Sequence, residues 1–592
     1  MNIPIMNTSA ELSEYKDAWT FDEKYSVWCL EDVLYTQKAT TPAFQRLSIF
    51  VPQAYLNADG TVNEDGTCGR YSAKTAPVVF ENNSAGYMQM PHTWLGGPRD
   101  MAPQYLARGM VYVTAGSRGR ESKGPDGKRN GKSPWTLVDL KTAIRFIRHN
   151  AAVLPGNFDH IISVGWSAGG AMSTLIGVTG DNENYLPYLE ENGAFLDESD
   201  AVYASQIYCP IIDLDHADAA YEWQFRADKE NEDSPAGPAA VMTPYQEALS
   251  AELSARYIEY FNGLGLKDPV TGEAFVLGED GRSGNAYDYL MGCLNDSATK
   301  YLAYLSAGKL DVDYSAADYI AGNYMVEKDA PLPDGGPDGP DGPGPGGPGG
   351  PGGSKDEAKK DAALLAGHAG PGVALNLSAD LPMDEPPSLG MMMLRPPKGQ
   401  EGEPFAPPTI QVPGDEKSIW LTWDGEKAAI SDLDTYVLNH RRRMKPCTSF
   451  DTLGADSGEN QEFGTPEKDY VHFSALSAAA VDSLKGQFPE ADGYSEAWKE
   501  AVGDEALDRR IYLINPLNYI GTDEVCAPTQ YFRIRVGAQD ADTAFIVSML
   551  LSVKLKNAGK DADYALVWDR PHCEADYPGE VCDWIEEITA ES

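Results

Sequence analysis

An α/β architecture is predicted: a mostly parallel sheet with helices on both faces and a large cap inserted late in the chain. Three observations predict it. Short apolar runs of strand type alternate with stretches of helical spacing through residues 1–215 and again through residues 526–592. Between these segments, over residues 216–525, the alternation stops. The stretch 163–172, Ser-Val-Gly-Trp-Ser-Ala-Gly-Gly-Ala-Met, reads as a buried strand, a Gly-x-Ser-x-Gly turn and a helix opening on small residues. That is the nucleophile elbow of an α/β-hydrolase, in which Ser167 sits on a sharp, strained turn above the sheet. Side chains at Gly165 and Gly169 would collide with neighbouring backbone.

Taken in order, residues 1–40 are mixed and aromatic and suit a surface strand pair. Residues 46–52 alternate at period two and end in proline, a first strand. Residues 57–69 are turn-rich, 77–81 form a second strand, and 110–114 form a continuous apolar run of the kind buried in parallel sheets. A glycine-rich loop follows from 116 to 132, then helical spacing over 135–149, then the elbow strand and a strand over 206–212. The pattern resumes with a strand at 531–537, a helix at 543–557, a strand at 564–568 and a closing helix at 580–588. The interruption falls between the sixth and seventh core strands, where such folds carry a lid. Inside the lid, residues 331–353 are almost entirely Pro, Gly and Asp; they cannot bury apolar surface and are expected to be disordered. Their Asp-Gly-Pro repeats lack the fixed cage of oxygens that a calcium site needs. A short helix is expected at 355–367.

The formal net charge of -43 argues against nucleic acid or an anionic membrane as partner. No run of about eighteen apolar residues suggests a membrane-spanning helix. Residues 1–20 lack the basic-then-apolar run of a signal peptide. A chain already relieved of its signal would look the same, so cytoplasmic and secreted locations both stay open. The eight cysteines contain no Cys-x-x-Cys pair, which is neither a zinc pattern nor a dense disulfide framework. One or two disulfides remain compatible with the sequence.

Ser167 needs a base, oriented by an acid, and in this fold the order is serine, acid, histidine. Five histidines lie downstream: His216, His368, His440, His472 and His572. Only His572 follows the last core strand, where the base must hang to reach the serine. The acid should follow the seventh strand, where Asp540 lies nearest and is preferred. Asp542 immediately precedes a helix, so its ordinary role would be an N-cap. Asp213 and Asp215, after the preceding strand, are outside alternatives. The tetrahedral intermediate needs two backbone donors. One is the amide of Ala168; the other is assigned to Gly86, with Ala85 close behind.

With these residues in place the chain resembles bacterial tannases, α/β-hydrolases that cleave galloyl esters, and their feruloyl-esterase-like relatives. The resemblance rests on Asn83-Ser84-Ala85-Gly86-Tyr87-Met88, Gly165-Trp166-Ser167-Ala168-Gly169-Gly170 and Ile430-Ser431-Asp432-Leu433-Asp434. It rests further on Ser457-Gly458-Glu459-Asn460 and on Gly537-Ala538-Gln539-Asp540-Ala541-Asp542-Thr543-Ala544. It covers most of the chain except the Pro/Gly run. It implies a triad of Ser167, Asp540 and His572, and a galloyl pocket in which Lys445, Glu459 and Asp542 meet the phenolic hydroxyls. The chemistry is sensible, since carboxylates accept from phenols and an ammonium donates. The ordinary readings are a solvated basic face from Arg441 to Lys445, a loop acid at Glu459 and a helix cap at Asp542. Fungal tannases and some feruloyl esterases carry a cysteine directly before the serine, bonded to one directly after the histidine. Here Cys573 follows His572 but Trp166 precedes Ser167, so the resemblance is to the bacterial group.

The expected activity is that of a serine esterase acting on galloyl esters through an acyl-enzyme, with a small phenolic ester as partner and neither metal nor organic cofactor. A feruloyl or chlorogenate esterase is the alternative, followed by a peptidase of the same fold and a non-catalytic binding protein. The alcohol half of the substrate and the oligomeric state are not legible.

Overall fold

The protein is described here from a computed structural model covering residues 12, 18–96, 100–231, 240–310, 312, 314–321, 420–522, 529–572 and 575–590. The Pro/Gly run at 331–353, the helix expected at 355–367, His368 and Cys573 lie outside the described residues.

Nine strands form the main sheet. In chain order they are β1 (Thr20–Asp22), β2 (Val27–Leu34), β3 (Arg46–Pro52), β4 (Pro77–Asn82), β5 (Val111–Ala115), β6 (Asn157–Trp166), β7 (Ala204–Tyr208), β8 (Tyr531–Gly537) and β9 (Asp561–Val567). Their order across the sheet is β1-β2-β3-β5-β4-β6-β7-β8-β9. β1, β2, β3 and β5 pair antiparallel. All pairings from β5 through β9 are parallel. This is an α/β-hydrolase fold. The central strands β4, β5 and β7 are buried at every residue, which is why β5 and the start of β4 read as apolar runs rather than alternating ones, while β7 buries Ser205 and Gln206 as well.

Most predicted elements lie where the pattern put them, including the Trp135–His149 and Glu580–Ile588 helices. The strand expected over 206–212 stops instead at Tyr208. Pro210 has no N–H to continue a central ladder, and Cys209 at φ 35° and Asp213 at φ 53° carry the chain out of the sheet. The strand pair expected near the N-terminus is β1 with β2, and it extends the main sheet at its edge.

The Trp135–His149 helix buries charged as well as apolar residues. Each buried charge has a partner, as such groups must. Asp139 meets Arg118 at 2.7 Å, and Lys141 and Arg145 both meet Asp200 at 2.6 Å.

Among the described residues, no strand of the main sheet comes from residues 209–530. That part supplies helices, among them Leu214–Phe225, Pro244–Gly263, Asn285–Ser306 and Gly458–Glu462, and two small antiparallel hairpins. No helix among the described residues is long and apolar enough to cross a membrane. Six described cysteines, Cys29, Cys68, Cys209, Cys293, Cys447 and Cys582, form no disulfide.

Candidate active site

Ser167 lies between β6 and the Ala168–Val178 helix at φ 59°, ψ -129°. A non-glycine residue there is strained and persists only where its surroundings hold it. Its N–H donates to the Tyr208 carbonyl at 3.1 Å, and its carbonyl accepts from the Ile211 N–H at 3.2 Å. A Cβ at Gly165 would lie 2.3 Å from the Gly169 carbonyl oxygen and 2.4 Å from Asn82 Nδ2, so only glycine fits. Asn82, which the sequence did not single out, braces the turn from beneath. Its amide donates to the carbonyls of Val164 (3.0 Å) and Gly169 (3.1 Å) and to Ser173 Oγ (2.9 Å).

The loops after β8 and β9 lie directly against each other. A Cβ at Gly537 would fall 2.0 Å from the Arg570 carbonyl oxygen and 2.3 Å from that of Pro571. The Gln539 N–H donates to Arg570 and the Ala538 N–H to Val567, each at 2.8 Å. This close approach brings His572 Nδ1 to 2.8 Å from Asp540 Oδ2, and His572 Nε2 to 2.9 Å from Ser167 Oγ. An ionised Asp540 can only accept, so Nδ1 carries the proton and Nε2 is left to accept from the Ser167 hydroxyl. The second Asp540 oxygen accepts from the Asp542 N–H at 2.8 Å. All three side chains are buried. Burial works against the imidazolium of His572, but the facing Asp540 carboxylate, backed by Cys209 and Asp542, outweighs it and holds the pKa well above the ordinary histidine value.

The other candidates serve elsewhere. Asp213 accepts from Tyr260 (2.9 Å) and Asn515 (2.9 Å) and pairs with His216 at 3.0 Å. Asp215 meets His216 at 3.4 Å and accepts from Asn515 at 3.2 Å. His440 stacks on Trp568 with centroids 4.5 Å apart, and burial pushes its pKa down to about 3. His472 pairs with Asp451 at 2.6 Å. Among the described residues, two groups bring metal-type donor atoms within 4.8 Å of one another: Cys209, Asp540 and His572, and Asp213, Asp215 and His216. In each, a carboxylate is already hydrogen-bonded to the histidine: Asp540 to His572 and Asp213 to His216.

Ala168 opens the elbow helix, where the first N–H groups have no intrahelical acceptor. The short turn Ala85–Tyr87 lies over that helix end, since a Cβ at Gly169 would come 3.6 Å from the Ser84 nitrogen. Gly86 takes φ 61°, a left-handed conformation that glycine accepts without strain. The Tyr87 hydroxyl donates to the Ile211 carbonyl at 2.7 Å and ties this turn to the segment after β7.

Lys445 and Asp542 meet: Lys445 Nζ donates to the Asp542 carbonyl at 2.9 Å, lies 3.6 Å from its carboxylate, and sits 4.5 Å over the Phe450 ring. Glu459 is buried in the first turn of the Gly458–Glu462 helix. Burial raises its pKa, opposed chiefly by the Lys445 charge, then by a backbone hydrogen bond to its own N–H, and then by Arg120. The ordinary readings of these residues are corrected. The helix after Asp542 starts at Phe545 with Ala544 as N-cap and no side-chain cap, so Asp542 is not its cap. The basic run is not a solvated face: Arg443 is buried against Glu222 at 2.6 Å, Arg442 pairs with Asp228 at 2.5 Å, and Lys445 is buried.

Residues missed by sequence inspection set these positions. The Tyr221 hydroxyl accepts from the N–H groups of Met444 (3.1 Å) and Lys445 (3.2 Å) and donates to the Ala541 carbonyl at 3.0 Å. Asp451 accepts from Asn460, His472, Trp498 and the backbone N–H groups of Phe473 and Ser474. Asp218 accepts from the N–H groups of Ser449, Phe450 and Asp451; burial pushes its carboxyl up to about 7 against those bonds. No motif marks any of them; the partners of Tyr221 and Asp218 in these bonds lie more than two hundred residues away, and those of Asp451 lie 9 to 47 residues on.

The BD-FAE family model matches residues 127–243. Among solved structures, a tannin acyl hydrolase from Lactobacillus plantarum is 26% identical with a TM-score of 0.67, covering 95% of this chain and 94% of that one. The Fusobacterium nucleatum tannase is 25% identical with a TM-score of 0.66, covering 95% of each chain. A tannin acyl hydrolase in complex with ethyl gallate is 25% identical with a TM-score of 0.65, covering 95% of this chain and 94% of that one. No curated protein matches the chain.

Proposed function

We propose that this chain, a carboxylic ester hydrolase of the tannase and feruloyl-esterase-like family of α/β-hydrolases, hydrolyses galloyl esters through an acyl-enzyme on Ser167. The observation that carries the reading is the hydrogen-bonded line from Ser167 through His572 to Asp540, at 2.9 and 2.8 Å. Ser167 Oγ attacks the ester carbonyl while His572 Nε2 takes its proton, and Asp540 stabilises the imidazolium without taking the proton. The developing oxyanion accepts from the N–H groups of Ala168 and Gly86. Collapse expels the alcohol, protonated by His572. A water activated by His572 then hydrolyses the galloyl ester of Ser167 and frees the acid.

The acyl half is recognised by Lys445, Glu459 and Asp542. Lys445 has three protons and spends one on the Asp542 carbonyl, so it can also donate to a ring hydroxyl. The two carboxylates accept from phenolic O–H groups in a buried setting, where such bonds count most. A methoxy group cannot donate, so ferulate would leave a carboxylate unpaired at a cost of roughly 1–3 kcal/mol. The ethyl gallate carried by one structural neighbour supports the galloyl choice.

The test compares kcat/KM on methyl gallate, methyl protocatechuate and methyl ferulate, with Ser167→Ala as blank. Gallate preference, weakened by Glu459→Ala or Asp542→Ala, is expected. Equal or better turnover of ferulate discards the galloyl assignment and keeps the esterase. A wild-type serine that a fluorophosphonate fails to label would sink the serine mechanism.

A further inference from the structure

The glycine-rich loop at residues 116–132 packs against both halves of the site. On one side a Cβ at Gly119 would lie 2.0 Å from the Met88 carbonyl carbon and 2.1 Å from the Gln89 nitrogen. On the other, Lys132 Nζ donates to the Gln461 carbonyl at 2.6 Å, and the Ser133 N–H to that of Glu462 at 3.2 Å. Arg120 is where the two sides are joined. It is buried, with 6% of its surface exposed. Its backbone N–H donates to the Tyr87 carbonyl at 2.8 Å and its Nε to the Gly86 carbonyl at 3.0 Å. Its Nη1 donates to the side-chain oxygen of Gln461, two residues beyond Glu459 in the same short helix. The Gln461 amide passes the connection to Asp469 at 3.2 Å, whose carboxylate is held in turn by Arg129 and Lys132.

We propose that Arg120 is a positioning residue that locks the Gly86 turn to the Glu459 helix, so that seating a hydroxylated ring also sets the backbone donor for the tetrahedral intermediate. This rests on the galloyl-esterase reading of the same site. Glycine at φ 61° is free to leave that conformation, and a guanidinium bonded to its carbonyl removes that freedom. The planar fork of arginine holds two acceptors at a fixed angle, whereas a lysine ammonium acts as a point charge. Binding energy from the ring then appears in kcat rather than only in KM, because it orders a group that acts in the transition state. The Arg120 charge also helps to draw the Glu459 carboxyl back toward ionisation, after Lys445.

The experiment measures kcat and KM of wild type, Arg120→Gln, Arg120→Lys, Gln461→Leu and the double variant Arg120→Gln/Gln461→Leu. The substrates are methyl gallate and methyl benzoate, and the active fraction of each preparation is titrated with a fluorophosphonate. In Arg120→Gln the ratio of kcat on gallate to kcat on benzoate is expected to fall about tenfold or more, the size of one charge-assisted hydrogen bond. Arg120→Lys leaves that loss unrepaired, and the double variant loses no more of the ratio than the worse single one. A ratio kept in titrated Arg120→Gln, or losses that add, overturns the proposal, since a merely structural arginine lowers the active fraction and not the ratio. Should Arg120→Gln fail to fold, Gln461→Leu decides by the same ratio. Wild type without gallate preference fells the galloyl reading and the coupling together; wild-type preference retained in Arg120→Gln fells the coupling alone.

Discussion

Replacing Asp540 by asparagine tests the histidine–serine line at its most informative point. The carboxylate has two occupied oxygens: Oδ2 faces His572 Nδ1 at 2.8 Å, and Oδ1 accepts from the Asp542 N–H at 2.8 Å. An asparagine must keep its carbonyl oxygen toward the Asp542 N–H, which can only donate. Its NH2 group then faces His572, and Nδ1 has to accept. The ring proton moves to Nε2, and the Ser167 hydroxyl loses its acceptor. A wrong tautomer in an otherwise intact triad lowers kcat by about 10⁴-fold, roughly 5.5 kcal/mol of transition-state stabilisation. Removing the negative charge also removes what outweighs burial at His572. Wild-type kcat/KM therefore rises with pH through a midpoint above the ordinary histidine value, and in Asp540→Asn the limb of the residual activity moves to lower pH. Steady-state hydrolysis of methyl gallate from pH 4 to 10 measures both effects, with thermal unfolding as the check on folding. A folded Asp540→Asn within tenfold of wild type refutes the assignment of acid and tautomer together.

Three further outcomes follow from the same geometry. Tyr221→Phe removes the hydroxyl that holds the Met444 and Lys445 N–H groups and the Ala541 carbonyl; KM for methyl gallate should rise about tenfold, the size of one lost hydrogen bond, with little change on methyl benzoate. Burial places the Glu459 carboxyl above its ordinary 4.5, so it gains a proton, and loses its charge-assisted bond to phenol, as pH falls through that raised value. KM for gallate should climb on that acid side in wild type and stay flat there in Glu459→Gln, and parallel KM profiles would remove Glu459 from the ring contact. Gly537→Ala drives a Cβ to 2.0 Å from the Arg570 carbonyl oxygen; it should cost at least ~3 kcal/mol in denaturant unfolding and separate Asp540 from His572, with a greater loss in kcat than in KM.

The fold was legible because its central strands are buried on both faces. β5 and the start of β4 are apolar runs too short for a helix, and the glycines of the elbow announce a turn whose backbone allows nothing larger. The end of β7 was misjudged because the apolar run continues through Ile211 and Ile212, while the ladder ends where Pro210 has nothing to donate. Hydropathy records burial, and both segments are buried; only the missing N–H separates them. The alternative role weighed for Asp542, a helix cap, fails for a different reason. An acid shortly before a helix looks like a cap, but the helix begins later, at Phe545.

Most of what stayed hidden is separated in sequence. Tyr221 meets Lys445 across 224 positions, and Arg120 meets Gln461 across 341. A local pattern can name a nucleophile, because the strain that exposes it is written into five adjacent residues. It cannot name a brace, because a brace is defined by a partner that any donor or acceptor type can supply. The middle of the chain consists of such braces: Asp218, Asp451 and Tyr221 all hold backbone N–H groups of residues 444–474, the segment that carries Lys445 and Glu459. A ring pocket of the kind proposed, built on irregular backbone, would need this fixing, since each residue offered to the ring must keep its place to within a fraction of an ångström for its hydrogen bond to count. The residues proposed for hydrolysis, Ser167, Asp540 and His572, stand on the loops after strand ends, and motif and chain order alone nominate them. The side chains proposed to recognise the ring stand on loops and a one-turn helix, and their placement became visible only once the distant partners were seen.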